Sequence, residues 1–492
     1  MPARTFLCLA LLSATGAMPA SSGFILGPDY SEWVVPRVTR IATDSTGALY
    51  ILSTCQVNGS SFSSCVTKLS ADGKTILWQN NLGFAIGYSG NAMAVDPTGG
   101  VYVIPMYQPG DTSVFVAKLS AGGTGLAWKT PVTVGLIGNP SLTADSQGRT
   151  YVAGLIGPAD DMSNVVVRLN AAGTAVDYTA PVPGDELVSI AVDRSGAAFL
   201  TGSTGVPFLA RLAPDGSAGF FTPLPATDSA GLVALDSNGD AVVYSQAADG
   251  SGVVQHFDST GAVTLTSPTV SGGSNFVLDA AGNGFVTGSS YIYASGLAYL
   301  LPVRNSLGTC GSQWLSVFAP DGSLLQTTYI PGGTYNVNLP FIAIGANSNV
   351  FVVAYADASF APTQTGPFPA GTSATNPVPS FLWRLSPNAN AQTFPLACLG
   401  NAATYQTGPI APGGYVTLFG SGLGPRQGVA HNPAVVGSII SAFLFTTDFE
   451  VTYAGPAPYF VAGTSQINFQ VVNYTGSIYA GGSQPFQIYV RK

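Results

Sequence analysis

Along most of the chain, short apolar runs alternate with clusters of Gly, Asp, Ser and Pro. That rhythm predicts brief strands joined by tight turns, and long amphipathic helices have no place in it. One block recurs: an apolar run ending in Asp, two variable residues, Gly, and a second apolar run. It reads IATDSTGALYIL from Ile41, MAVDPTGGVYVI from Met93, LTADSQGRTYVA from Leu142, IAVDRSGAAFLT from Ile190, VALDSNGDAVVY from Val233 and FVLDAAGNGFVT from Phe276. A seventh copy, IAIGANSNVFVV from Ile342, has lost the Asp and the Gly but keeps the flanking pattern.

The agreement extends beyond the punctuation. The column three places before the Asp holds Ile41, Met93, Leu142, Ile190, Val233, Phe276 and Ile342, and the next holds mostly Ala. Six places after the Asp stand Tyr50, Tyr102, Tyr151, Phe199, Val242, Phe285 and Phe351, residue types suited to a pleated, half-buried surface. The block is therefore a strand, a turn and a strand. Asp at the head of the turn accepts backbone N–H groups a few residues on, and Gly supplies a positive φ.

A second signature follows each block: TKLSADG from Thr67, AKLSAGG from Ala117, VRLNAAG from Val167, ARLAPDG from Ala210, QHFDSTG from Gln255, SVFAPDG from Ser316 and the weaker WRLSPNA from Trp383. A fourth apolar run comes next, as in TILWQN from Thr75 and LAWKT from Leu126. Four strands in each of seven units predict a closed β-propeller, because such a unit buries both sheet faces only between neighbours. The IAVDxxGxxYVxG rhythm followed by RLxxDG resembles the bacterial seven-bladed propeller repeats of the SBBP and NHL type. That resemblance implies an architecture and leaves the function open.

After Cys398 the repeat stops. The segments NAATYQTGPIAPGGYVTLFGSGLGP from Asn401 and APYFVAGTSQINFQV from Ala457 resemble the uncharacterised C-terminal domain family of soil acidobacteria (Solibacter type), itself similar to IPT/TIG immunoglobulin-like domains. Alternating runs such as YVTLF and INFQV independently read as short sandwich strands. The expected fold class is all-β. Residues 1–20 are expected to be an export signal, 21–36 a lead segment, 37–397 the propeller and 398–492 an immunoglobulin-like β-sandwich.

The export signal rests on Arg4, the apolar stretch from Phe6 to Leu12 and the small residues from Ser13 to Ala20, with cleavage after Ala17 or Ala20. Cys8 leaves with it, and no later run is long enough to predict a membrane-spanning helix. In an exported chain the remaining four cysteines permit disulfides: Cys55 with Cys65 across a hairpin, and Cys310 with Cys398. Export to the cell surface or the exterior is the expected localisation. With 16 basic against 24 acidic residues the net charge is −8, which argues against nucleic acid as a partner.

In this strand order the loops joining second to third strands, and blade to blade, lie on the face opposite the DxxG turns. Those loops are longest in the sixth and seventh units, where they carry Tyr291, Tyr293, Tyr299 and Arg304, and Asp357, Phe360 and Phe368. Aromatic rings there would stack on a glycan or peptide; the bland alternative is loops packed on one another. On the same face, Asp160 and Asp161 in the third unit approach Asp185 and Glu186 at the start of the fourth. They would offer oxygen ligands to calcium or an acid–base pair, unless they form only a solvated rim. The two histidines, His256 and His431, sit in a strand column and a Pro-containing loop, and neither GxSxG nor HExxH occurs. DSNGD from Asp236 and GSGLG from Gly420 read as turns, and Asn58 and Asn473 begin glycosylation sequons.

The leading expectation is an exported binding or scaffold protein that engages a glycan, a peptide or a surface protein. The alternatives are a carboxylate-dependent extracellular hydrolase or lyase, and a purely structural envelope protein.

Overall fold

A computed structural model of the chain describes residues 24–34, 38–57, 61–84, 86, 92–105, 113–134, 136–157, 163–224, 227, 229–247, 252–269, 273–289, 307, 313–330, 340–355, 363, 380–388, 390–391, 396–402, 414–420, 427, 429–430, 439–442, 445–448, 451–456, 465–470 and 488–491. Seven four-stranded antiparallel sheets follow one another along it. Blade 1 is Val38–Thr43, Leu49–Val57, Ser61–Leu69 and Ile76–Asn81. Blade 2 is Met93–Val95, Val101–Val103, Ser113–Leu119 and Leu126–Val134. Blade 3 is Leu136–Ala144, Thr150–Gly157, Ser163–Leu169 and Val176–Pro181. Blade 4 is Glu186–Val192, Ala198–Ser203, Pro207–Leu212 and Ala218–Pro223.

Blade 5 is Ser229–Leu235, Ala241–Gln246, Gly252–Phe257 and Val263–Thr269. Blade 6 is Gly273–Leu278, Gly284–Ser289, Gln313–Phe318 and Leu324–Tyr329. Blade 7 takes Phe341–Ile344, Val350–Tyr355 and Ser380–Pro387 from its own stretch of chain, and its outermost strand is Leu26–Trp33. The first strands contact one another in sequence, and that of blade 7 returns to that of blade 1, so the ring is closed. The architecture is a seven-bladed β-propeller.

The lead segment, 21–36 in the sequence reading, thus supplies a propeller strand. Tyr30 pairs with Arg384 and Trp33 with Phe381 in an antiparallel register. Tyr30 donates from its hydroxyl to the Asp72 carbonyl of blade 1 at 2.5 Å, and Arg384 Nη1 meets Asp29 at 2.7 Å. From blade 6, the buried Gln326 side chain accepts from the Leu26 N–H at 2.9 Å and donates to the Leu26 carbonyl at 3.2 Å. A side-chain amide there takes the place of a strand neighbour.

Seven apolar clusters fill the seven gaps between blades, because each sheet is apolar on both faces. The gap between blades 7 and 1 holds Tyr30, Val38, Ile41, Phe351, Val353 and Leu382. The six DxxG turns close as their chemistry requires. In blade 2, for instance, Asp96 Oδ1 accepts the N–H groups of Thr98 at 2.8 Å and Gly100 at 2.9 Å, and Gly99 adopts φ +89°. Blade 7, without that Gly, places Asn347 and Ser348 in the left-handed region instead, at φ 58° and 55°. Ser348 Oγ then donates to Asp279 Oδ2 of blade 6 at 2.8 Å.

The hairpin pairing is present: Cys55 and Cys65 form a disulfide on neighbouring strands of blade 1. Cys310 lies outside the described residues. Cys398 falls on Leu396–Asn401, a strand of the tail, so the tail's first sheet begins slightly before residue 398. That sheet runs in the order Leu396–Asn401, Tyr415–Gly420, Ser465–Gln470, Val451–Pro456, Val429–Ala430. A three-stranded sheet joins Phe445–Asp448, Ile439–Ala442 and Ile488–Arg491. Among the described residues no helix is long and apolar enough to cross a membrane.

Candidate functional site

The two ends of the blades differ in kind. At the end carrying the DxxG turns, blades 1 to 3 repeat one polar cluster. The Tyr50 hydroxyl donates to Asp44 Oδ2 at 2.9 Å and lies 3.3 Å from the Gly99 carbonyl of blade 2, while Lys68 Nζ stands 3.3 Å from Asp44. Tyr102 donates to Asp96 at 2.9 Å beside the Gly148 carbonyl, and Lys118 Nζ donates to the Tyr102 oxygen at 2.7 Å. Tyr151 and Arg149 converge on Asp145 in the same way.

An acid, a phenol and a cation in mutual contact resemble proton-transfer machinery, yet the cluster occurs three times, buried, at the joint between consecutive blades. Burial and the adjoining carboxylate push the Tyr50 and Tyr102 phenols above their ordinary range, so both stay neutral donors. Burial alone would raise the Asp44 and Asp96 carboxyls. Hydrogen bonds from Thr46, Tyr50 and Lys68 on the first, and from Thr98, Gly100 and Tyr102 on the second, overcome it and hold both below the usual carboxylate range. These groups are staples between blades.

The staples carry a pH dependence. A carboxyl with a lowered folded pKa stabilises the fold above the ordinary aspartate value, about 3.9, and that contribution is lost as pH falls through the folded value. The urea midpoint is therefore expected to drop between pH 7 and pH 3. Asp96→Asn should lower the unfolding free energy at pH 7 by about 1–3 kcal/mol for the lost charged acceptor, and should shrink the difference in midpoint between the two pH values. An unchanged difference would remove Asp96 from the account.

At the opposite end the structure forms a depression of about 610 Å³, lined by Leu155, Ser163 and Asn164 of blade 3, its exit Pro181–Gly184, and Asp185. That volume is within the range of small-molecule sites. Asn164 is 3% exposed. Its Nδ2 donates to the Gly184 carbonyl, while its Oδ1 has no partner among the described residues. A buried acceptor left alone costs about 1–3 kcal/mol, so the wall carries an unused hydrogen-bonding capacity. A second depression, about 220 Å³, lies nearer the ring axis between blades 4, 5 and 6, with Val188, Ser229, Gly231, Ser245, Gln246 and Gly273 among its walls. Ser245 Oγ, in a side chain 2% exposed, is likewise without a partner among the described residues.

Of the acidic set singled out from sequence, Asp185 and Glu186 are exposed at this end and Asp185 lines the larger depression. Asp160 and Asp161 lie outside the described residues, as do Tyr291, Tyr293, Tyr299, Arg304, Asp357, Phe360 and Phe368. Among the described residues no three His, Cys, Asp or Glu side chains gather as a metal site. His256 is a strand residue of blade 5 whose imidazole burial pushes below its ordinary range, against a smaller opposing pull from Asp236. Asp236 itself heads a DxxG turn.

Sequence reasoning passed over Asn164 and Ser245. Their types are common on strands, and what marks them is the missing partner, which only the packed structure reveals.

No protein-family model matches the chain, and no curated protein matches it. Among solved structures it is similar to hydrazine synthase from Kuenenia stuttgartiensis, with 9% identity over 65% of this chain and 93% of that chain and a TM-score of 0.45. It is also similar to a protein of unknown function from Bacteroides caccae, with 14% identity over 60% of this chain and 97% of that chain and a TM-score of 0.38.

Proposed function

We propose that the chain is an exported or cell-surface binding protein whose propeller takes a neutral glycan on the end opposite the DxxG turns. The observation that carries this reading is the unpartnered Asn164 Oδ1 in the wall of a depression that also holds the Asp185 carboxylate. Both are acceptors suited to hydroxyl donors, and Leu155, Pro181 and Pro183 offer apolar surface for the C–H face of a sugar ring. Net negative charge disfavours anionic ligands. In this reading the amino-terminal residues 1–20 are an export signal, the repeats are of SBBP or NHL type, and the tail is an IPT/TIG-like spacer or attachment module. The Asn164 oxygen is screened from solvent, so the wall must yield slightly for a donor to reach it.

Affinity electrophoresis of residues 21–492 through gels containing xylan, mannan, laminarin or hydroxyethyl cellulose tests the reading. Retardation by at least one polysaccharide is expected, with Asn164→Leu and Asp185→Ala each weakening it roughly 5- to 100-fold, the equivalent of about 1–3 kcal/mol. Retardation in none of the four gels overturns it. So does binding only to a cationic peptide such as polylysine that is abolished by high salt, which would point to the carboxylates alone.

A further inference from the structure

The two depressions lie at the same end of the blades and flank the entry to blade 4. The larger ends at Asp185, immediately before the first strand of blade 4, Glu186–Val192, and the smaller begins at Val188 of that strand. Three residues of extended chain span only about 10 Å. Glu186, exposed, stands between them.

Their chemistry is also graded. The outer depression combines a carboxylate with an amide oxygen and proline surface. The inner one carries no charge and sets hydroxyls, an amide and bare glycine backbone among the apolar side chains of Val188, Ala230 and Leu232. The backbone is bare for a reason: any Cβ on Gly231 would collide with the Tyr244 carbonyl, and one on Gly273 with the Tyr244 hydroxyl. The Gly273 N–H donates to that hydroxyl at 2.9 Å. In the first strand of blade 5, pairing with the second strand shifts register between Ser229 and Leu232, and this bulge shapes the inner wall.

We infer that the ligand is a chain of several sugar units that runs from the blade 3–4 junction toward the ring axis at blades 4 to 6, filling both depressions at once. The inference rests on the glycan reading above. Asn164 and Asp185 hold one end of the chain; Ser245 and Gln246 meet the other through neutral hydrogen bonds. A ligand spanning both sites gains the second set of contacts without a second loss of translational freedom. Affinity therefore climbs with chain length until both are filled and then levels off.

The test uses size-fractionated fragments, from disaccharide to octasaccharide, of whichever polysaccharide retards the protein, titrated by calorimetry against residues 21–492. Affinity is expected to rise at least tenfold across the series and then to plateau. Ser229→Trp, a substitution at an exposed rim position of the inner depression, is expected to erase that rise, and Gln246→Ala to reduce it without adding bulk. Length-independent affinity overturns the two-site chain, as does a rise that survives both variants. In either case a polysaccharide has still bound, so the glycan reading stands; if none binds, that reading itself has failed.

Discussion

A protein beginning at residue 34 is expected not to fold cooperatively, whereas one beginning at residue 21 is expected to fold like the full chain. The difference is the strand Leu26–Trp33, which closes blade 7. Removing it strips Leu26 and Tyr30 from two apolar clusters and uncovers an edge of blade 7 along Ser380–Pro387. Each large side chain returned to water costs about 1.5–3 kcal/mol, so these two account for about 3–6 kcal/mol. A natural domain has only about 5–15 kcal/mol in hand. The newly exposed edge also invites pairing with other chains.

The measurement is near-UV circular dichroism and urea unfolding of the two truncations. Adding a synthetic peptide of residues 24–34 should restore part of the signal to the shorter one, because the register with Ser380–Pro387 is fixed by the strand itself. A milder probe is Gln326→Leu, which deprives the Leu26 N–H and carbonyl of their side-chain partner. Equal urea midpoints for the two truncations would mean that the ring is held shut by something else.

That closing strand was hard to see in the sequence for physical reasons. LGPDYSEW contains a Pro and two acids, no turn signature follows it, and its partner lies at the far end of the repeat array. Local patterning carries no information about so distant a pairing. The six complete DxxG copies were legible because one short motif fixes both a turn and the strands beside it. The tyrosine six places on was legible as a strand residue. Its second role, donating to the turn Asp beside a carbonyl of the next blade, depends on the ring having closed.

Cys55 with Cys65 was readable because a hairpin is local. Of the candidate site, Asp185 and Glu186 could be found because carboxylates in blade connections are conspicuous. Asn164 and Ser245 could not, since an unsatisfied atom is a property of the packing around it.

A further expectation concerns the second signature, whose glycine sits at a contact that the sequence did not announce. Gly123 of blade 2 has φ +68°, and a Cβ there would fall inside the ring of Trp78, on the outermost strand of blade 1. The arrangement recurs around the propeller: Gly173 lies on Trp128, Gly216 on Tyr178, Gly261 on Phe220 and Gly73 on Tyr30. At five of the seven blade junctions an aromatic side chain on the outermost strand thus docks on the next blade's turn, which only a residue without a Cβ can accommodate; between blades 5 and 6, Leu265 and Ser267 lie against Gly322 instead.

Gly123→Ala should therefore cost about 2–5 kcal/mol, combining about 1–2 for the left-handed backbone with about 1–3 for overpacking. Gly205 provides the control. It has φ +78° with nothing within 4 Å of a Cβ, so Gly205→Ala should lose only the backbone part. In the double variant Trp78→Ala, Gly123→Ala, the clash disappears while the backbone penalty stays, and the pair should be less destabilising than the sum of its parts by about 1–3 kcal/mol. Urea unfolding of the four variants measures all of these terms. If Gly123→Ala proves no worse than Gly205→Ala, or the two substitutions simply add, the aromatic docking contributes nothing to holding neighbouring blades together.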